Sequence, residues 1–206
     1  MVKEHEVGLE QKILETAEQL FLEKGFAMTS TTEIAKKAGC NQALVHYYFR
    51  TKENLFQSIF ERKIKLVVAD FQAREAPGLS FEERLKIKIE SHFEMVRANP
   101  RLPFLVMNEF TTNPARIEAF RKKHMADSGS ILSQFEEELQ KEIKAGRIRE
   151  TTTLDIIMNV VSLNAMLFMA GNIFKSISQL SDAQYEMVIE HRKQEHVRVI
   201  LASLRP

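Results

Sequence analysis

Residues 30–53 read STTEIAKKAGCNQALVHYYFRTKE, and this stretch predicts the fold of the N-terminal segment. Ser30 and Glu33 stand three residues apart, which is the spacing of a capping box at the start of a helix. That helix ends at Gly39, because glycine accepts the positive φ that is common after a helix. Asn41 is a good N-cap for a second helix, Gln42–Phe49. Two short helices joined by about three residues predict a helix-turn-helix.

The second of these helices has two different faces. At roughly 100° per residue, the apolar arc that can pack on the preceding helices holds Leu44, Val45, Tyr48 and Phe49. The opposite, polar arc holds Gln42, Ala43, His46 and Tyr47. A glutamine amide can form two hydrogen bonds with adenine, and a small methyl group can contact the thymine methyl. We therefore expect the polar arc to lie in the major groove of DNA.

Hydroxyl and cationic side chains flank this helix and are candidates for contacts to backbone phosphates. Together with the polar arc and the helix cap, the predicted DNA contacts are Thr31, Thr32, Lys36, Asn41, Gln42, Ala43, His46, Tyr47, Arg50 and Lys52. The alternative is that Tyr47 is a surface aromatic residue without a role and that Gln42 and Lys36 are merely solvated. Cys40 in the turn is interpreted as a small apolar plug, with a redox sensor as the alternative.

The remaining sequence also predicts helices. Only 7 Gly and 5 Pro occur, and apolar residues recur at three- and four-residue spacing rather than in alternation. We expect an all-α protein of about nine helices. A helix-turn-helix DNA-binding domain is predicted at residues 1–50, and a helical ligand-binding and dimerisation domain at residues 51–206. The helix that begins after Thr51 joins them without a flexible linker, so it can transmit a shift.

Residues 9–55 resemble the DNA-binding domain of the TetR family of bacterial transcriptional regulators. The resemblance is carried by Ile13, Leu14, Ala17, Leu20, Phe21, Gly25 and Phe26, then by Thr31, Thr32, Ile34, Ala35, Ala38 and Gly39, and then by Leu44, Val45, His46, Tyr47, Tyr48, Phe49, Lys52, Glu53 and Leu55. Family members often carry Tyr at the position of His46 and Ser at that of Asn41. The resemblance implies a homodimer on a near-palindromic operator, most often a repressor that a small effector releases. It also implies that the last two helices of each subunit form a four-helix interface.

Methionine and phenylalanine are plentiful in the second half, and such side chains suit a pocket for an apolar or amphipathic effector. Two asparagines within apolar helices are further candidates, because a buried amide needs a partner. The predicted pocket residues are Phe93, Met107, Asn108, Phe110, Phe120, Met158, Asn164, Met166 and Met169. The alternative is ordinary core packing or a dimer interface. A stripe on the last helix is predicted for that interface: Met187, Val188, His191, Val197 and Leu201.

Composition and motifs exclude several classes of protein. Lys+Arg is 29 and Asp+Glu is 28, a net charge of +1, so DNA contacts must come from a local patch. The single cysteine allows neither an internal disulfide nor a Cys-rich zinc site. The histidines lack the spacing of a metal site, and no glycine-rich phosphate loop or nucleophile elbow occurs. We therefore expect no cofactor, no metal and no enzymatic activity.

Two features bear on location. The first twelve residues contain no apolar run, so no signal peptide is predicted. Residues 156–174 carry no charge, but asparagine and serine interrupt them, which favours a buried helix over a membrane span. This long helix is predicted to run from Thr153 to about Ile177. We expect a cytoplasmic protein. A helical-bundle module for protein contacts without DNA binding, and a membrane-anchored protein, are the alternative hypotheses.

Overall fold

The computed structural model describes the backbone of residues 2–72, 78–122 and 126–206, and the side chains of these ranges except 2–7, 67–68, 70–72, 116, 120 and 126–131. The described residues form eleven helices, so the predicted all-α class is confirmed, with two helices more than the roughly nine expected. In chain order they are α1 (Val2–Lys24), α2 (Thr31–Ala38), α3 (Gln42–Phe49), α4 (Lys52–Gln72), α5 (Phe81–Ala98), α6 (Leu102–Thr112), α7 (Pro114–Phe120), α8 (Ala126–Lys144), α9 (Thr153–Met169), α10 (Gly171–Ile177) and α11 (Asp182–Ser203).

The chain divides into two compact units, Met1–Leu66 and Val67–Pro206. The division falls inside α4, later than the predicted boundary at residue 50. The early turns of α4 belong to the first unit because Phe56 packs there, with its ring centroid 5.3 Å from that of Phe21. The assignment of DNA binding to residues 1–50, and of ligand binding and dimerisation to residues 51–206, stays a prediction.

The first unit is held together by one face of each of its helices. α1 packs on α2, and α2 packs on α3. The residues that they bury share the three- and four-residue spacing of amphipathic helices. They are Ile13, Ala17, Leu20 and Phe21 of α1, Ile34, Ala35 and Ala38 of α2, and Val45 and Phe49 of α3. This core positions α3 and leaves its other face in solvent.

The second unit has its main core between α5, α8, α9 and α11. Its buried members are Phe81, Leu85, Ile89, Phe135, Leu139, Ile156, Val197, Ile200 and Leu204. Ser80, Thr152 and Ser181 accept hydrogen bonds at the starts of α5, α9 and α11. Each of these caps satisfies a backbone N–H that would otherwise lack a partner.

The predicted long helix from Thr153 to Ile177 is broken, which corrects the sequence interpretation. α9 and α10 meet at Ala170 at an angle of 60°. The Tyr185 hydroxyl donates to the Leu167 carbonyl at 2.9 Å, so it occupies the acceptor that the amide of Gly171 would use in a continuous helix. Gly171 permits this approach, since a Cβ there would lie 2.9 Å from the phenol oxygen. A contact from α11 therefore ends α9.

The apolar helices of the second unit are short for a membrane span. No single helix in the described part of the chain is long and apolar enough to cross a membrane, and one bent pair, α9 with α10, meets the length and composition criteria together.

Candidate nucleic-acid interface

The turn between α2 and α3 is fixed by side-chain and backbone caps. The Ser30 hydroxyl accepts from the Glu33 N–H at 3.1 Å, although the Glu33 carboxylate pairs with Lys24 instead of completing the predicted capping box. Gly39 has φ 74°, in the left-handed region that glycine adopts without strain. The Asn41 side-chain oxygen accepts from the Leu44 N–H at 2.9 Å. Asn41, predicted as a DNA contact, therefore uses its oxygen to hold the start of α3.

The two faces of α3 lie as the sequence predicted. Val45 and Phe49 are buried, and Leu44 and Tyr48 are half-buried. The four residues of the polar arc, Gln42, Ala43, His46 and Tyr47, are all exposed. Tyr47 is 62% exposed, a large aromatic surface left in solvent. This arc is a continuous surface of an amide, a methyl group, an imidazole and a phenol.

The amide of Gln42 is held by two threonines of α2. Its Nε2 donates to the Thr31 hydroxyl at 3.0 Å, and its Oε1 accepts from the Thr32 hydroxyl at 3.2 Å. The amide keeps one further N–H and one further lone pair for another partner. Thr31 and Thr32, predicted as phosphate ligands, thus orient the candidate base-reading side chain in this structure, a role that the sequence interpretation missed.

Arg50 has a backbone conformation that non-glycine residues rarely adopt. Its φ of 63° and ψ of −53°, with the Thr51 N–H donating to the Phe49 carbonyl at 2.7 Å, form a classic-type γ-turn between α3 and α4. Such a residue costs roughly 1–3 kcal/mol and persists where its surroundings fix it. The turn directs the Arg50 carbonyl to the ring of His46, whose Nδ1 lies 2.7 Å away. The side chains of Arg50 and His46 are both exposed.

Lys52 has a different place from that predicted. Its ammonium donates to the carbonyls of Phe26 at 2.9 Å and of Thr29 at 3.0 Å, and lies 4.2 Å from the centroid of the Phe26 ring. Two of its three N–H groups are therefore used within the first unit. Lys36, by contrast, is exposed on α2. Lys36 and Arg50 are thus two predicted cations near α3 that do face solvent.

Cys40 lies in the turn and is half-buried with a free thiol. Burial raises the pKa of the Cys40 thiol, and the charge of Lys12 opposes that effect without cancelling it. A raised pKa disfavours the thiolate on which redox reactivity depends. This direction agrees with the interpretation of Cys40 as a plug in the turn.

The second unit contains an open apolar groove of about 880 Å³. It runs along α9 and α11, and Arg192 is the cation in its wall. Four of the residues predicted for an effector pocket line it, namely Met107, Met158, Met166 and Met169, and so does Val188 of the predicted dimer stripe. Met158 is 60% exposed, so the groove leaves its side chains in solvent rather than enclosing them.

The other predicted pocket residues lie elsewhere. Phe93 is fully buried against Leu167 and Ile189, so it is a core residue, which corrects the sequence interpretation. Asn164 is fully buried and hydrogen-bonded within the unit. Asn108 and Phe110 are half-buried and do not line the groove, and the side chain of Phe120 lies outside the described residues.

The predicted dimer stripe on α11 splits into two faces. Met187 and His191 are exposed and Val188 is half-buried. Val197 is buried in the main core of the unit and Leu201 packs against it, so these two residues do not form part of an exposed stripe. The reason is helical geometry: ten residues at about 100° each turn Val197 by roughly 80° from Met187.

The side chains that could bind a metal ion do not cluster in the described part of the chain. No group of three or more His, Cys, Asp or Glu side chains that could hold a metal ion occurs among the residues that the structure describes.

Comparison with known proteins finds a match to a family model within the first unit. Residues 13–59 match the family model described as "Bacterial regulatory proteins, tetR family". The chain is 34% identical over 91 residues to the uncharacterized HTH-type transcriptional regulator Rv1255c of Mycobacterium tuberculosis (strain H37Rv), covering 44% of this chain and 45% of that relative. The match thus spans about half the length of this relative. The matched family consists of transcriptional regulators and not of enzymes.

Two further similarities extend over most of the chain. The fatty acid metabolism regulator protein of Bacillus subtilis (strain 168) is 22% identical over 179 residues, covering 86% of this chain and 87% of that protein. The crystal structure of a tetR-family regulatory protein from Rhodococcus RHA1 superposes with a TM-score of 0.71 at 20% identity, covering 96% of this chain and 97% of that chain. This superposition shows that the fold of the chain, over both units, is one already seen in a solved structure.

Proposed function

We propose that this chain, a TetR-family transcriptional regulator, represses transcription by binding a near-palindromic operator as a homodimer until a small effector releases it. The observation that carries the proposal is the exposed polar arc of α3, which is held by caps at its start and by a γ-turn at its end. A rigid helix of this kind can enter the major groove with its side chains already placed.

The chemistry of the first unit supports DNA as the partner. Gln42 offers an oriented amide for a base edge, and Tyr47 offers a hydroxyl for a phosphate. Lys36 and Arg50 add cations near the same helix. This local patch supplies the phosphate attraction that a net charge of +1 does not supply over the whole chain.

A second copy of this chain is the proposed occupant of the apolar face of α9 and α11. Large apolar side chains that do not line the groove are exposed on these helices, with Leu154 at 64%, Met187 at 65% and Val199 at 43%. Patches of this kind usually mark an interface with another protein. A two-fold dimer places its two copies of α3 one turn of DNA apart, roughly 34–36 Å, which is why we expect a near-palindrome.

The proposed effector is a small apolar or amphipathic molecule. The groove methionines Met107, Met158, Met166 and Met169 are its candidate contacts, because thioether side chains adapt to irregular ligands. A long-chain fatty acid is the first compound to test, since the related Bacillus subtilis protein is named for fatty acid metabolism. For repression to be relieved, the compound must bind the DNA-free state more tightly than the DNA-bound state.

The test is DNA binding by the purified protein. Wild type, Tyr47→Ala and Leu66→Ala would be titrated onto the DNA upstream of the protein's own gene, and onto a selected random-DNA pool, at two salt concentrations. Leu66 is the matched control, a large exposed residue of the same unit that lies on α4. We expect sequence-selective binding by wild type and Leu66→Ala and a clear loss in Tyr47→Ala.

Salt dependence distinguishes the proposal from a module for protein contacts. Binding that neutralises phosphates weakens with salt by a log–log slope of about −0.9 per phosphate. Absence of binding to every DNA in the random pool would contradict the proposal. Palmitate added to the complex should release the DNA, and undiminished binding would contradict the fatty-acid assignment alone.

A further inference from the structure

One ring nitrogen of His46, Nδ1, lies within hydrogen-bond distance of a backbone carbonyl. The other, Nε2, has no hydrogen-bond partner in the described part of the chain. Nδ1 lies 2.7 Å from the Arg50 carbonyl oxygen, which can only accept, so Nδ1 carries a proton whether the ring is neutral or charged. A neutral imidazole has a single N–H group. Nε2 of the neutral ring is therefore an acceptor, and it becomes a donor when the ring takes up a second proton.

This arrangement decides what His46 can bind. A phosphate oxygen is also an acceptor, so the neutral ring has no N–H to offer it. The imidazolium offers Nε2–H together with a positive charge, and charge-assisted hydrogen bonds of this kind are the strong ones. The exposed position of His46 on the polar arc, beside Tyr47, places it among the residues proposed to meet DNA.

We propose that His46 is a backbone-phosphate ligand that binds through Nε2 as the imidazolium, so that operator binding takes up a proton at each half-site. The inference rests on the proposed function, because it requires the polar arc of α3 to lie against DNA. The γ-turn at Arg50 fixes which ring nitrogen carries the proton, since this turn directs the Arg50 carbonyl to Nδ1.

The His46 ring contacts a backbone carbonyl, and no charged side chain pairs with it among the described residues. The carboxylates nearest in the chain, Glu33 of α2 and Glu53 of α4, form no ion pair with the ring within the described part of the chain, and Glu33 is paired with Lys24. The cations and other titratable groups of the first unit include Lys12, Lys36, Lys37, Cys40, Tyr47, Tyr48, Arg50 and Lys52. Lys37 lies 3.7 Å from Glu23, and Lys52 is turned to backbone carbonyls. The counter-charge for the imidazolium must therefore come from the DNA.

The experiment is operator affinity as a function of pH. Wild type, His46→Gln, His46→Tyr and His124→Gln would be titrated by fluorescence anisotropy between about pH 8 and about pH 6, the range in which histidine changes charge. Ionic strength is kept constant. Glutamine and tyrosine can each donate a hydrogen bond without taking up a proton. His124 is not among the predicted DNA contacts and serves as the control.

We expect the wild-type Kd to fall by roughly tenfold or more towards the acid end, because up to about one proton enters per half-site. His124→Gln should keep this slope, and both His46 variants should be nearly flat. The wild-type salt slope should also steepen at the acid end, by about 0.9 for each additional phosphate that the imidazolium neutralises.

Three results would overturn the inference. A wild-type pH slope equal to that of His46→Gln would show that no proton enters at His46. An affinity that weakens towards acid pH would show that Nε2 accepts from a base amino group. Failure of all four proteins to bind any DNA would overturn the proposed function as well, whereas binding with an unchanged slope overturns this inference alone.

Discussion

The Oδ1 atom of Asn164 accepts a hydrogen bond from Nδ1 of His196 across 2.8 Å, which ties α9 to α11 inside the second unit. The Asn164 amide nitrogen donates to the Ile89 carbonyl at 3.1 Å and to Nδ1 of His92 at 3.0 Å, both on α5. Arg192 donates from Nε to Nε2 of His196 at 3.2 Å, so the His196 ring is neutral and carries its proton on Nδ1. One buried asparagine thereby joins three helices.

Asn164→Ala is expected to lower the free energy of unfolding by about 3 kcal/mol, because it leaves buried groups on His196 and Ile89 without a partner. Chemical denaturation at neutral pH measures the change. Asn159→Ala, at an exposed position of the same helix, is the control and should stay within about 0.5 kcal/mol of wild type. Equal losses in the two variants would show that the buried network does not stabilise the unit.

The stability of the second unit should fall at acid pH through His196. Burial, with the charge of Arg192 adding to it, lowers the pKa of His196 from 6.5 to about 4. Because the folded-state value is the lower one, the stabilisation is complete above pH 6.5 and is lost as the pH falls from 6.5 towards 4. The difference between the two pKa values corresponds to about 3 kcal/mol.

The measurement is the free energy of unfolding of wild type and His196→Gln at several pH values between about 7 and about 4. Wild type should lose about 3 kcal/mol more than the variant over this range, because only wild type takes up the proton at position 196 on unfolding. Parallel pH profiles for the two proteins would contradict the prediction.

Substitution of Lys52 should affect the stability of the protein, whereas substitution of Lys36 should affect its affinity for DNA. Lys52→Met should lower the free energy of unfolding by about 2 kcal/mol, since it removes two hydrogen bonds and the contact with the Phe26 ring. Lys36→Met should leave stability unchanged. It should instead weaken binding to all DNA sequences alike and reduce the salt slope by about 1. Denaturation and DNA titration of both variants give the comparison, and the reverse pattern would show that Lys52 is the phosphate ligand.

Thr32→Val should affect sequence selectivity rather than general affinity. The Thr32 hydroxyl orients the amide of Gln42, so its loss should reduce the preference for the operator over unrelated DNA by roughly fivefold, about 1 kcal/mol. Affinity for unrelated DNA should not change. A phosphate ligand would instead weaken both. Thr112→Val, in the second unit, should match wild type, and a Gln42→Ala background should abolish the effect of Thr32→Val.

Met187→Glu should convert the proposed dimer to a monomer, because a carboxylate buried without a partner is costly in an apolar interface. Sedimentation velocity measures the change. Met28→Glu, at a residue that is 76% exposed in the first unit, is the control and should remain dimeric. A dimeric Met187→Glu protein would place the interface on another face.

The sequence predicted the two faces of α3 and the N-caps at Ser30 and Asn41, all of which the structure confirms. These features are local, because a cap involves residues three apart and a helical face repeats every three to four residues. The partners of Lys52 are different, since Phe26 and Thr29 lie 26 and 23 residues earlier in the chain. No spacing in the sequence indicated these contacts.

The same distinction explains the errors in the second unit. Asn164 was predicted for an effector pocket because its amide needed a partner, and the partner lies in α5, 75 residues earlier. The predicted continuous helix after Thr153 was broken by Tyr185, which reaches Leu167 from α11. Asn164 was correctly singled out as unusual, but neither its partner nor the contact of Tyr185 with Leu167 was deducible from neighbouring residues.

The sequence by itself determined the all-α class, the helix-turn-helix and the polar arc of α3, because hydrophobic period, caps and turn residues act within a few positions of each other. The tertiary structure alone decided which polar groups are used inside the protein and which remain for a ligand. Thr32 holds Gln42, the Arg50 carbonyl holds His46, and His196 holds Asn164. These pairings depend on where whole helices pack and how the chain turns between them.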